Sequence, residues 1–214
     1  MTRSTLLEWQ TTYKNPTTLI VQASHPSGDD SWMPFPIGMC YHYPSQVGKG
    51  QSIQIGSHEN LVMCAISTST DRNRRPHPKN RSSILATLAR NGIHNQQLPP
   101  PVYYDQLPHV KFVVSPEGNG IDCHRHYEAL IAGAIPVVER HPLTEQKYAG
   151  CPVLWTDDYS EITPEYLTSA YNEMIDKEYD FSKLFMDAYD EPTRARIREC
   201  GNYWVKCTTK MTWY

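Results

Sequence analysis

The chain is poor in the patterns that announce familiar chemistry. Its six cysteines contain no C-x-x-C pair and its nine histidines no H-x-x-x-H pair, which excludes the common zinc motifs. No Walker loop and no G-x-S-x-G elbow occur, so nucleotide-triphosphate hydrolysis and serine-nucleophile chemistry have no foothold. No stretch approaches the roughly 18 apolar residues of a membrane helix, and MTRSTLLEWQTTYKNPTT at the amino terminus holds no signal-length apolar core. We therefore expect a cytoplasmic protein without a membrane-spanning segment. Scattered cysteines in a chain of this size are too few for a disulfide scaffold, so reduced thiols are expected. A formal net charge of −3 gives no general reason for nucleic-acid binding. Glycine is scarce beside proline, 11 against 17, and most of the prolines precede residue 110. That half should be rich in loops.

Texture changes near residue 60. Before it, short apolar runs are broken by turn formers. Thr18–Ala23, Phe35–Cys40 and Lys49–Ile55 read as short strands. After it, strands alternate with helices. Leu61–Ile66, Val110–Val114, Ile135–Val138 and Pro152–Trp155 read as buried strands. Arg81–Asn91, Cys123–Gly133 and Thr163–Asp176 read as helices. LPPPVYYDQLP reads as a link, and a mostly helical tail should run from about Ser182 to Cys207. Such alternation predicts an α/β fold, a Rossmann-like parallel sheet flanked by helices. The expected division is a reduced amino-terminal segment, 1–58, and a Rossmann-like domain, 59–214. Ligands of such sheets sit beyond the carboxyl ends of the strands, which directs attention to the loops after Ile66, Val114 and Val138.

The loop after Val114 is Ser115-Pro116-Glu117-Gly118-Asn119-Gly120-Ile121-Asp122. Gly118 and Gly120 permit positive φ and close approach of a ligand, and Asp122 reads as a helix N-cap. The free N–H groups of the helix that follows suit a phosphate. Tyr127, Leu130, Ile131 and Ala134 form its core stripe. Arg125 and Glu128 lie three apart on the other face, beside His124. An Arg there can contact a pyrophosphate and a Glu can accept both hydroxyls of a ribose, although spacing alone equally allows an exposed ion pair. The loop after Ile66 adds Ser67 and the basic residues Arg72, Arg75, Lys79 and Arg81, of which at least one should contact phosphate.

PEGNGIDCHRHYEALIAGAIPVVERHPL resembles the donor-binding signature of the exostosin-like glycosyltransferases and the related xylosyltransferase-type enzymes. VLWTDDYSEI, residues 153–162, resembles a second block of that signature, and the likeness covers about residues 60–175. The resemblance implies the carboxy-terminal, donor-binding half of the GT-B fold, with a reduced amino-terminal part. Trp32–Met39 is similar to the link that precedes that half. It further implies transfer of a sugar, xylose preferred, from a UDP-sugar to a saccharide hydroxyl, with no cofactor and no metal. The donor-binding set is then Ser67, Arg72, Arg75, Ser115, Gly118, Asn119, Gly120, His124, Arg125 and Glu128. Glu117 and Asp122 are the candidate catalytic carboxylates. Partners would be the UDP-sugar, a glycan acceptor and a domain or chain supplying the acceptor site. A donor-binding module without activity is the alternative, and a nicotinamide oxidoreductase is a remote third.

Overall fold

The computed structural model describes residues 20–22, 32–34 (backbone alone for these two), 38, 55–56, 59–71, 75–195 and 198. Two parallel ladders occur among them. The shorter pairs β1 (Ile20–Gln22) with β2 (Trp32–Pro34). The larger has four strands, β3 (Asn60–Met63), β4 (Val110–Val114), β5 (Ile135–Glu139) and β6 (Leu154–Thr156), all parallel in the order β3-β4-β5-β6. This is the expected α/β, Rossmann-like arrangement.

The alternation of side chains explains the layers. Phe112 and Val114 of β4 with Ile135 and Val137 of β5 point to one face. There they meet Ile84 and Leu88 of α1 (Arg81–Arg90) and Leu167, Ala170 and Tyr171 of α5 (Pro164–Met174). Val113 points to the other face, against Tyr103 and Tyr104 of α2 (Pro100–Gln106) and Ala129 of α3 (His124–Ile131). Val138, also on that face, packs with Tyr127 and Leu130 of α3 and with Tyr148, which follows α4 (Pro142–Lys147). Both central strands are thus covered on both sides, which is why they read as continuous apolar runs. Each fully buried Val, Ile or Phe contributes about 1.5–3 kcal/mol of transfer free energy.

Helix ends follow local chemistry. The Asn80 side chain accepts from Ser83 N at 3.0 Å and starts α1. Thr163 caps α5 by accepting from Tyr166 N at 3.2 Å. Gly133, at φ +78°, stops α3. Ala134 N bonds Ala129 O at 2.9 Å and Gly133 N bonds Leu130 O at 3.0 Å, the double closure that a left-handed residue permits. Asn95 holds the chain just beyond β3, where the described residues add no further strand. It accepts from Ile66 N at 2.9 Å and donates to Ile66 O at 3.1 Å, standing in for a neighbouring strand.

Several expectations shift. Leu61–Ile66 is ladder-paired over Asn60–Met63, and Thr18–Ala23 over Ile20–Gln22. Apart from Gly38 and Ile55, Phe35–Cys40 and Lys49–Ile55 lie outside the described residues. LPPPVYYDQLP is a helix and not a link: Pro100 and Pro101 occupy the first turn, where a missing N–H costs nothing. Pro142–Lys147 is a helix that the sequence reading passed over. In the tail, Ser182–Leu184 and Met186–Ala188 are single 3₁₀ turns and 191–195 is helical, so no continuous helix starts at Ser182. The Asp180 carboxylate accepts from Ser182 N at 2.8 Å and favours a tight turn there. No helix among the described residues is long and apolar enough to cross a membrane.

Candidate functional site

A cleft of about 680 Å³ opens beyond the carboxyl ends of β3 and β4, between the starts of α1, α2 and α3. Ser67 and Thr70 from the first loop, Gly118–Gly120 from the second, and His124, Arg125 and Glu128 from α3 line it. Seven of the expected donor-binding residues, Ser67, Gly118, Asn119, Gly120, His124, Arg125 and Glu128, therefore come together.

Arg81 organises this end of the cleft. It is the first residue of α1 and is 3% exposed. Its own N–H donates to Asp71 Oδ2 at 2.6 Å. The guanidinium donates from Nε to Glu117 O at 2.8 Å, from Nη2 to Pro116 O at 2.9 Å, and from Nη1 to Ser67 O at 3.1 Å and Thr70 Oγ1 at 2.7 Å. One side chain thus ties the loop after β3 to the loop after β4. All four of these side-chain acceptors are neutral, so the charge is buried without a hydrogen-bonded carboxylate. Burial, and next the nearby Arg125, hold the Arg81 pKa below its ordinary value.

Arg125 is the second cation. Its Nη2 donates to Ala65 O at 3.1 Å, and its guanidinium carbon lies 5.7 Å from the Tyr103 ring centroid. Its Nε is buried with no hydrogen-bond partner. Burial opposes the Arg125 charge, and the acidic groups facing it, Tyr103, Cys123 and Glu128, more than restore it. Glu128 is 4% exposed and stands one turn along α3. His124 is exposed at the mouth, with Nδ1 2.7 Å from the Gly38 carbonyl. Nδ1 must therefore carry the proton, which leaves Nε2 as an acceptor in the neutral ring.

Gly118 and Gly120 are not among the positive-φ glycines, contrary to expectation. Gly118 serves close approach instead: a Cβ there would sit 3.0 Å from Arg81 Nη2 and 3.5 Å from its Cζ.

The remaining candidates lie apart from the opening. Ser115 is fully buried and faces inward. Arg75 is 2.7 Å from Glu139 Oε1 and 3.8 Å from Glu117 Oε2, in an ion-pair cluster that does not line the cleft. Glu117 belongs to that cluster. Arg72 lies outside the described residues. Asp122 reaches the cleft wall, but its carboxylate is fully buried. It accepts from Tyr148 Oη at 2.8 Å and lies 3.2 Å from His126 Nδ1 and 3.4 Å from Lys147 Nζ. Burial pushes the Asp122 pKa up, but the hydrogen bond and charge of His126, with Lys147 and Tyr148, bring it below its ordinary value. The expected cap by Asp122 is not the one found: Cys123 takes the N-cap position, with no side-chain bond.

Sequence reasoning left Arg81 undistinguished within a basic run and missed the wall formed by Gln96, Gln97, Tyr103 and Tyr104. The signal for that wall was available: prolines at a helix start followed by Tyr103, Tyr104 and Leu107 at helical spacing. Among the described residues, no group of three or more His, Cys, Asp or Glu could hold a metal ion. No protein-family model matches the chain, and no curated protein is significantly similar to it.

Proposed function

We propose that the cleft binds a nucleoside diphosphate sugar, a UDP-sugar, and that the protein is a cytoplasmic glycosyltransferase acting on a saccharide hydroxyl. One observation carries this reading: two guanidiniums, Arg81 and Arg125, lie close together in the walls of one cleft, and the side-chain hydrogen bonds of Arg81 go to neutral acceptors. A diphosphate offers such a pair charged acceptors in a fork geometry that guanidiniums match. The resemblance of residues 116–138 and 153–162 to exostosin-like glycosyltransferases supports it, with Glu128 as the partner of the ribose hydroxyls and xylose as the preferred sugar.

In this reading the arginines stabilise negative charge on the departing nucleoside diphosphate, where a fixed cation is worth most because the site is already organised around it. His124 is placed for the acceptor step. Its Nε2 is an acceptor at the cleft mouth, able to take the proton of an incoming hydroxyl. Glu117 and Asp122 are engaged elsewhere, and this favours a second reading, a donor-binding module that relies on another domain or chain for the acceptor.

Titration calorimetry with UDP, GDP and their sugars, without added metal, separates these readings. UDP should bind, and Arg125→Gln or Glu128→Ala should weaken binding at least tenfold, about 1.4 kcal/mol, in variants whose thermal unfolding shows that they fold. Binding with donor hydrolysis or transfer supports the enzyme, and binding without either supports the module. If no nucleoside diphosphate binds, both readings fail. Binding of NAD instead would favour an oxidoreductase.

A further inference from the structure

The loop that brings Gly118–Gly120 into the cleft is held at both ends by one side chain that does not itself line the cleft. His126 lies in the first turn of α3 and is 0% exposed. Its Nε2 donates to Ser115 O, just past the end of β4, at 2.9 Å. Its Nδ1 donates to Asp122 Oδ1, at the far end of the loop, at 3.2 Å. A carbonyl oxygen can only accept. The Asp122 carboxylate already accepts from Tyr148 Oη on the same oxygen, and its other oxygen faces Lys147 Nζ at 3.4 Å. Both ring nitrogens of His126 must therefore carry a proton, and the ring is an imidazolium.

The surroundings sustain that charge. Burial opposes it, but Cys123 at the helix start and Asp122 of the loop outweigh burial and raise the ring from 6.5 to about 10. Lys147 of α4 faces the ring only across Asp122, and Tyr148 sets its ring edge-on at 5.9 Å. Between the two ends, separate bonds fix the loop backbone. Pro116 O and Glu117 O accept from Arg81, and Glu117 N donates to Glu139 Oε2 at 2.9 Å. Gly118 N donates to Gly120 O at 3.0 Å across the turn. His126 is thus the one side chain that joins the start of this frame to its end.

We propose that His126 is a positioning residue of the cleft: by bridging Ser115 and Asp122 it holds the Gly118–Gly120 turn in the shape that receives the ligand's phosphates. The phosphates are those of the proposed nucleoside diphosphate, so this role rests on that reading, whereas the bridge itself does not. A turn ordered in advance spares the ligand the entropy of ordering it. Loss of the bridge leaves Arg81, Arg125 and Glu128 in the chain and removes no group that touches the ligand, yet affinity falls because the turn samples other shapes.

Nitrogen-15 NMR of the full chain at pH 8 reads the bridge in the unaltered protein. Both His126 ring nitrogens should be protonated, with two slowly exchanging N–H protons, at a pH where an unperturbed imidazole is neutral. A ring with a single N–H overturns the proposal. Variants read the consequence. His126→Gln can meet one of the two acceptors and His126→Leu neither. Leu167→Ala, in the core beneath α5 and away from the loop, is the control for stability loss alone. Calorimetry should show UDP binding weakened about tenfold in His126→Leu, with the loss in the entropy of binding. His126→Gln should fall between, and Leu167→Ala should bind as the unaltered protein does. Amide exchange at Gly118, Asn119 and Gly120 in the unliganded chains should quicken in the His126 variants alone. If His126→Leu does not fold, the ring signature and His126→Gln decide. The positioning role is overturned if the His126 variants keep full affinity, if Leu167→Ala loses as much, or if exchange at the turn is unchanged. If the unaltered protein binds no UDP, the functional reading fails and the positioning role with it. A doubly protonated ring and a protected turn would then mark His126 as a structural clamp alone.

Discussion

Arg81 shows how one residue can set the shape of a site without being distinguishable in the sequence. Four hydrogen bonds from its guanidinium hold the loops after β3 and β4 together, and Gly118 presses against that planar group. The guanidinium has no room to yield, because its nitrogens are committed to both loops. Gly118→Ala places a methyl 3.0 Å from Nη2, and the neighbour must move or the loop must bend. We expect a loss of about 1–3 kcal/mol in stability, the usual cost of overpacking. We also expect weaker UDP binding, because the displaced group is one of the two cations of the cleft. Asn119→Ala, at the exposed next position, should change stability by no more than about 0.5 kcal/mol. Thermal unfolding and calorimetry on the two variants check this, and equal behaviour of the pair would refute the role given to Gly118.

At the scale of elements, the cleft depends on how the sheet ends. Among the described residues, β3 has β4 on one side and no strand of its ladder on the other. Asn95 compensates by holding both polar groups of Ile66, and Gln96 N adds a bond to Cys64 O at 2.7 Å. These bonds also position Gln96 and Gln97 in the cleft wall. Asn95→Ala leaves a donor and an acceptor of Ile66 without their partner. The expected cost is about 1–3 kcal/mol, with faster amide exchange at Ile66 and Gln96; unchanged exchange would show that the edge is held by other means. The same elements show what sequence could disclose. Val110–Val114 and Ile135–Glu139 were legible because strands buried on both faces must be apolar throughout. Arg125 and Glu128 were singled out by their place beside a glycine turn together with the resemblance, since spacing alone equally allowed an exposed ion pair. Arg81 was not, because one arginine among several in a basic loop carries no periodic signal. Asn95 was hidden for a related reason: its bonds cross 29 positions of sequence, and only the folded chain brings them together. Asp122 was misread as a helix N-cap because its partners Lys147 and Tyr148 lie beyond an intervening strand.

For the whole molecule, the buried group Asp122, His126, Lys147 and Tyr148 joins the cleft loop to α3 and α4, and it should govern the pH range of stability. The Asp122 pKa is held below its ordinary 3.8, so the unfolded chain binds that proton more readily. Its contribution is present above about pH 4 and is lost as pH falls further. His126 is raised from 6.5 to about 10, so its contribution is full below 6.5 and declines as pH rises towards 10. Cys123, lowered from 9.0 to about 7, has the opposite sign and gains stability between those values. The two offset each other from about pH 7 to 9. Above that range the His126 loss continues. The pKa values of Tyr148 and Tyr159, raised well above 10.0, add a loss as the unfolded chain ionises, against a gain from Lys147, whose pKa burial lowers. Unfolding midpoints from pH 2.5 to 10.5 should therefore show a plateau with one limb below about pH 4 and another above about pH 9. Asp122→Asn should flatten the acid limb and cost about 3–5 kcal/mol at pH 6, because it leaves the buried His126 and Lys147 charges without their counter-ion. A variant that keeps the acid limb unchanged would place the acid-sensitive carboxylate elsewhere in the molecule.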